Sequence, residues 1–431
     1  MVSQLEQQLC KLKSLKVEKG IISGKFKHLQ KGTDEHSRQL ALMTEISQQI
    51  KMIEAEIKTA EIEPKDDVQQ TIAREAFPAL DEQRRWSNEI HIELKQLCQV
   101  DDWQEFVQRS STSLPSHNPA WASVIEQSFG HQSFVLCARS TAGKLIGGVP
   151  FTVFASSLFG KFAVSMPYLN YGGVISEYFD VSTALMQSLA DVRARLDLKH
   201  IEVRSIHNGL GSNPSTKKVS MLLRLPDSDD TLEKILGSKV RAQYKKAEEF
   251  SPQVAIGGAE LLDDFYRVFA RNMRDLGTPV YSKQWFSNIL NHPDLRANII
   301  VVYIKNKPVS CGFLVTYGKL MEIPWASTIK TANKYNTNMW MYRKILSFAI
   351  AQGCDYFDFG RSTLDAGTYK FKKQWGAEPC QNYWYCLLPD NAPKPELNPD
   401  NPKLKLVIAL WKWLPVWLAN LIGPQIIKGI P

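Results

Sequence analysis

The sequence predicts an α/β (α+β) chain: two tandem mixed-sheet domains preceded by a helical hairpin or coiled coil. Three observations carry this. Residues 3–62 hold apolar side chains at seven-residue spacing. From about residue 88 a three-strand meander, a helix and a further strand follow in order. The same order returns roughly 160 residues later, a duplication at domain scale.

The N-terminal pattern splits into two helices. Leu5, Leu12 and Phe26 form one register of the first, and Leu15, Ile22 and Leu29 a second. Met43, Ile50 and Ile57, with Ile46 and Ile53, line the other helix. Gly32-Thr33-Asp34 between them reads as a helix stop and an N-cap. Such a pair serves dimerisation, partner docking or RNA contact, or is a packing arm without chemistry.

In the first α/β pass, residues 90–97, 134–139, 145–154, 162–168 and 201–205 read as strands. Residues 101–110, 119–129 and 181–196 read as helices. In the second pass, strands are expected at 299–304, 309–316, 320–325 and 356–359, and a helix at 338–351. Ala142-Gly143 and Asn306-Lys307 make the corresponding tight turns. Between the passes, 232–249 reads as one helix with Lys239, Arg241, Lys245 and Lys246 on a basic face. The expected division is 1–63, a linker 64–88, domains at 89–227 and 228–388, a Pro/Asn-rich linker 389–403, and a tail 404–431. The tail carries Trp411, Trp413 and Trp417, with Lys405 and Lys412 interrupting it and Pro415 breaking it. It is too interrupted to span a bilayer, and reads as an interfacial segment or as a tail packed on the domain.

At 431 residues the chain needs more than one core, and its 44% hydrophobic and 22% charged content is that of a globular protein. The formal charge of +8 favours anionic partners without the density of a dedicated nucleic-acid binder. Seven cysteines without a CxxC pair argue against a disulfide framework or zinc site, and the N-terminus lacks the apolar core of a signal peptide. A cytoplasmic chain, at most peripheral to an inner membrane, is expected. Phosphate-binding P-loops, serine-hydrolase elbows, zinc-protease helices and dinucleotide fingerprints are all missing, and the eight histidines show no metal-ligand spacing.

Polar density gathers instead at strand and helix ends of the second half. Tyr356 to Phe359 leads through Gly360 to Arg361, Ser362 and Thr363, then to Lys370, Lys372 and Lys373 around Phe371, closed by Trp375. These types supply donors for phosphate or carboxylate oxygens, although lysines at this spacing also make an ordinary solvated face. Arg271, Asn272, Arg274 and Asp275 end a helix stopped at Gly277. Glu322-Ile-Pro-Trp-Ala-Ser327 is a strand whose Pro324 implies an edge or a bulge. In the first half, Tyr168, Asn170 and Tyr171 precede Gly172-Gly173, which permit close backbone approach or make a turn.

The strings FARNMRDLGTPVYSKQWF (269–286), EIPWAST (322–328), FDFGRST (357–363) and GTYKFKKQWGAEP (367–379) resemble FemAB-related proteins of exosortase and PEP-CTERM exopolysaccharide systems. HNPAW (117–121) and SMPYLNYGG (165–173) resemble that family's first half. The match covers roughly residues 90–385. It implies two tandem domains of the GNAT (acyl-CoA N-acyltransferase) type. It also implies acyl or aminoacyl transfer to a cell-envelope, peptidoglycan or exopolysaccharide precursor. Glu322 and Asp358 are the base candidates under this reading. Arg361, Lys370, Lys372 and Lys373 would hold an anionic glycan or a lipid-linked precursor. Arg271, Asn272, Arg274, Asp275, Trp325, Ser327, Ser362, Trp375, Tyr168, Asn170 and Tyr171 would complete the substrate pocket.

No bound cofactor is expected. The donor would be acetyl-CoA or an aminoacyl-tRNA. The loop 327–338 contains no glycine, unlike the pyrophosphate-binding loop usual in coenzyme A enzymes of this fold, which weakens the first. The expected partners are therefore the acceptor, tRNA as donor, a membrane surface at the tail and a second copy at the N-terminal helices. Two other readings stand beside this one: a non-catalytic scaffold of a membrane-associated polysaccharide assembly, and an RNA-binding module.

Overall fold

The computed structural model describes residues 4–26, 33–60, 72, 75–77, 80–156, 160–389, 392 and 402–431. Leu29, Gly32 and residues 64–71, 73–74, 78–79, 390–391 and 393–401 of the linkers lie outside the described residues, as do the side chains of Leu5, Phe26 and Ile57. The chain forms two compact units, residues 1–69 and 70–431. In the first, α1 (Gln4–Phe26) packs on α2 (Asp34–Ala60). Ile22, Ile46 and Ile50 are buried there against Leu12, Leu15 and Met43, which are the heptad positions.

The second unit holds two mixed sheets. The first is ordered β1 (Ile90–Gln96), β2 (Ser133–Ser140), β3 (Leu145–Ser156), β4 (Gly160–Val164), β6 (Ile201–Ser205), β14 (Tyr383–Leu387), with the short β5 (Ile175–Ser176) on β3. The other is ordered β13 (Glu378–Gln381), β7 (Lys218–Arg224), β12 (Tyr356–Thr363), β11 (Leu320–Thr328), β10 (Lys307–Tyr317), β9 (Arg296–Ile304), β8 (Gln253–Gly257). Helices α3 (Trp103–Arg109), α4 (Ala120–Phe129) and α5 (Phe179–Arg195) belong to the first half. The later half carries α6 (Asp229–Ile235), α7 (Ser238–Glu248), α8 (Leu262–Leu276), α9 (Lys283–Asn291), α10 (Thr337–Ala351) and α11 (Gly367–Lys373).

The duplication holds in topology along the main path of each sheet, with β5 and β13 as the extra strands. Each half runs as an antiparallel meander, then a helix, then a strand parallel to the last meander strand: β4 with β6, and β11 with β12. The halves also exchange strands. β7, which follows the first half, pairs with β12, and β14, which follows the second, pairs with β6. A shared core seals the exchange: Trp121, Phe129, Phe154 and Tyr168 pack with Trp285, Phe286, Phe313 and Trp325.

Both parallel pairs open after a few residues. β11 and β12 are in register only at Leu320↔Tyr356, Met321↔Phe357 and Glu322↔Asp358. Beyond that point each strand bulges. On β11, Ile323 and Pro324 stand opposite the single Leu314, because Pro324 has no N–H to give the ladder. On β12, Phe359 and Gly360 stand opposite Met221, and Gly360 takes a left-handed φ of 79°. The strand therefore does not end at Gly360, as the sequence suggested; it runs to Thr363 with the glycine as its bulge.

Other expectations change in detail. The single helix at 232–249 is two, broken at Leu236-Gly237. The strand at 162–168 ends at Val164, and the basic loop after Thr363 contains the helix α11. The tail forms α12 (Pro402–Trp411) and α13 (Val416–Ile427). It packs on the second unit through Ala419, Gly423 and Ile427, with Gly423 so close to Val280 that a Cβ there would lie 2.9 Å from its backbone nitrogen.

Candidate active site

The point where β11 and β12 part carries a buried carboxylate pair. Glu322 and Asp358 are the last residues in register, and both side chains are buried, at 5% and 0% exposure. Their partners come from the first half. Asn170 Nδ2 donates to Glu322 Oε2 at 3.3 Å, and the Tyr171 hydroxyl donates to Asp358 Oδ2 at 3.2 Å. The Gly360 N–H donates to Asp358 Oδ1 at 2.7 Å, which is possible because the bulge turns that N–H inward.

The loop that delivers Asn170 and Tyr171 is held by its own glycines and by His117. The Gly172 N–H donates to the Arg204 carbonyl at 2.8 Å. A Cβ on Gly172 would lie 2.9 Å from the Ser165 carbonyl oxygen, so the close approach is to backbone. Met166 and Tyr168 adopt left-handed φ values of 48° and 68° within the same loop. Burial pushes His117 down to about 4, so the ring is neutral at physiological pH. Its Nδ1 accepts from the Leu114 N–H at 3.0 Å, which leaves Nε2 to donate to the Gly173 carbonyl at 3.2 Å. The two first-half motifs are thus one device: the histidine of the first pins the glycines of the second.

The electrostatics separate the carboxylates. Burial raises Glu322 to about 8, and the neighbouring Asp358 charge adds to the rise. Burial raises Asp358 less, to about 6, because Gly360 N–H, Lys372, Tyr171 and Arg361 favour its ionised form. Burial therefore favours a shared proton on the pair, with Asp358 the more readily ionised of the two.

Lys372 connects this pair to a cleft. Its ammonium donates to the carbonyls of Gly360 and Arg361 at 2.9 and 2.8 Å, and burial lowers it to about 8. The cleft, about 340 Å³, is lined by Asn272, Ser327, Asn338, Tyr342, Phe371 and Lys372, among others. Asn272 Nδ2 donates to Ser327 Oγ at 3.0 Å across it. The segment beyond Thr328 forms a 3-10 turn, Lys330–Tyr335, before α10 starts at Thr337. The turn has no glycine and so offers no cradle of the glycine type for a coenzyme A pyrophosphate.

The remaining candidates divide. Arg361 is half-buried over the Trp384 ring, 5.3 Å from its centroid, and burial lowers it to about 10. Arg204 lies over the same ring at 4.8 Å, is 4% exposed, and bonds Glu202 at 2.7 Å. Its Nη1 and the Trp384 Nε1 are buried without a hydrogen-bond partner. Lys370, Lys373 and Arg271 are exposed, and Lys373 lies near the Tyr369 ring, so the lysines of α11 do not converge. Arg274 pairs with Asp275 and donates to the Leu414 carbonyl at 2.7 Å, holding the tail. Tyr168 donates to the Lys428 carbonyl at 3.1 Å. Trp325 and Trp375 are core residues, and Ser362 Oγ is buried without a partner. On the basic helix, now α7, Lys245 pairs with Glu233, and Arg241 donates to the Leu236 carbonyl.

Sequence reasoning missed Arg204. The signal was the duplication itself: Glu202-Val-Arg204-Ser205 and Asp358-Phe-Gly-Arg361-Ser362 occupy the same strand of each half, the second with the bulge glycine inserted.

Residues 237–373 match the family model of the acetyltransferase (GNAT) domain. The crystal structure of FemX is similar at a TM-score of 0.50 and 12% identity, over 68% of this chain and 97% of that one. A tandem GNAT protein from the clavulanic acid biosynthesis pathway aligns at a TM-score of 0.44 and 10% identity, over 69% and 98%. L-PGS from Bacillus licheniformis aligns at 0.46 and 12%, over 75% and 97%. No curated protein sequence matches the chain. The fold is a mixed α/β architecture of two tandem GNAT-like halves with a helical N-terminus.

Proposed function

We propose that the protein is an acyl- or aminoacyltransferase of FemAB-like type acting on a cell-envelope or exopolysaccharide precursor. The observation that carries this reading is the Glu322–Asp358 pair. It is buried where β11 and β12 part, supplied with donors by both halves, and linked through Lys372 to a cleft. The GNAT model match and the likeness in fold to FemX support transfer chemistry; the precursor is inferred from the sequence resemblance.

In this mechanism the Asn272–Ser327–Lys372 cleft takes the donor, and the side bearing Asn170, Arg361 and Arg204 takes the acceptor. The acceptor amine or hydroxyl attacks the donor carbonyl, and its proton passes to ionised Asp358. Protonated Glu322 returns a proton to the leaving thiol or ribose hydroxyl, and the pair then shares the proton back. Most of the acceleration comes from holding donor and acceptor together on the two sides of one opening. Two arginines over one indole, with the Arg204 Nη1 buried and unpartnered, favour an anionic acceptor, such as a phosphate or carboxylate.

The test offers purified protein labelled acetyl-CoA and labelled aminoacyl-tRNA with amine- and hydroxyl-bearing envelope glycans. Transfer from one donor that Glu322→Gln and Asp358→Asn abolish is the expected result. No binding of either donor and no turnover would overturn the reading.

A further inference from the structure

The tail presents an apolar face to solvent that the core does not require. Trp413 is 87% exposed, Trp417 68%, Leu421 67%, Leu410 61% and Val407 56%. On α13 the buried positions are Ala419, Gly423 and Ile427, so Trp417 and Leu421 stand on the opposite side of the helix. The face is fixed, not loose. Arg274 holds the Leu414 carbonyl, and His131 and Tyr168 both bond the Lys428 carbonyl, at 2.8 and 3.1 Å. It also continues toward the cleft. A Cβ on Gly277 would touch Ile408 and Lys412, and its neighbour Leu276, 59% exposed, lines the cleft.

We infer that this face docks on the surface of an anionic lipid bilayer and holds the cleft mouth beside it. Charge and residue type select that occupant. Residues 402–431 contain Lys403, Lys405, Lys412 and Lys428 and no aspartate or glutamate. Tryptophan beside lysine suits the headgroup layer, where the ring meets hydrocarbon and the ammonium meets phosphate. The centre of a protein–protein interface is depleted in lysine, whereas Lys412 is exposed between Trp411 and Trp413. Among the described residues no helix is long and apolar enough to cross a membrane, so the contact is with the surface. Attachment of the face to the half that carries the Glu322–Asp358 pair makes a lipid-borne acceptor the substrate class that the protein meets without leaving the bilayer. The substrate class rests on the transferase reading; the docking does not.

The experiment is flotation of the full chain with phosphatidylcholine vesicles, with and without phosphatidylglycerol, at low and high salt. Binding to the anionic vesicles that weakens with salt is expected. Trp413→Ala with Trp417→Ala should lower partitioning about tenfold or more, and Lys412→Glu several-fold, with an unchanged melting temperature. Absence of binding to anionic vesicles overturns the inference, as does equal binding by the double variant. A concentration-dependent dimer that the same substitutions abolish, without vesicle binding, overturns it in favour of a second copy. Transfer to a soluble acceptor should survive these substitutions, so loss of docking and loss of catalysis are separately visible.

Discussion

Glu322→Gln removes a titratable proton from the buried pair while keeping an oxygen for the Asn170 amide to bond. The Glu322 carboxyl sits at about 8 in the folded chain against an ordinary 4.5. Because the folded value is the higher, the native state keeps a proton that the unfolded chain releases. The contribution of Glu322 to stability is therefore intact below about pH 4.5 and drains away as pH rises through about 8. The full difference corresponds to about 5 kcal/mol. Glutamine carries no such penalty at any pH. The variant should therefore melt close to the parent at pH 5 and about 5 °C above it at pH 9. Transfer activity should move the other way, falling about a hundredfold or more, since the proton returned to the leaving group is gone. Differential scanning calorimetry across pH 5–9 reads the first effect and donor turnover the second. A melting difference that does not change with pH would refute the burial argument; unchanged turnover would refute the role.

Tyr171→Phe deletes the hydroxyl that donates to Asp358, so it should cost about 1–2 kcal/mol and raise the Asp358 value above about 6, moving the acidic limb of the rate profile upward. Gly360→Ala forces a side chain onto a φ of 79° and should cost about 1–2 kcal/mol in a thermal melt, with activity lost as the Asp358 contact is displaced. Lys372→Met leaves the Gly360 and Arg361 carbonyls without their donor and removes the charge that favours ionised Asp358, so kcat should fall tenfold or more. Arg204→Ala should raise KM for an anionic acceptor tenfold or more with kcat nearly kept, measured in the same transfer assay.

The tandem architecture was legible because each meander carries its period-2 pattern and its turn residues locally. Pro324 announced the bulge on β11, since a missing N–H has a local consequence. Glu322 and Asp358 are named together as base candidates from the resemblance, while their side-by-side register follows from a parallel pairing that no local pattern encodes. What the sequence could not show was the strand exchange, because β7 and β14 look like ordinary apolar runs and their partners lie far away in the chain. For the same reason the lysines of α11 read as one basic cluster. Helix formation turned Lys372 inward and left Lys370 and Lys373 in solvent. Gly172-Gly173 read as a close approach or as a turn, and their neighbours are the backbone of Ser165 and Ser205.

In the proposed mechanism, transfer depends most directly on ionised Asp358. Transfer of a labelled acyl or aminoacyl group by the full chain should occur with the parent protein. It should fall at least a hundredfold in Asp358→Asn, in protein that still binds the donor and melts cooperatively. Asp358→Asn protein that transfers at the parent rate would contradict it.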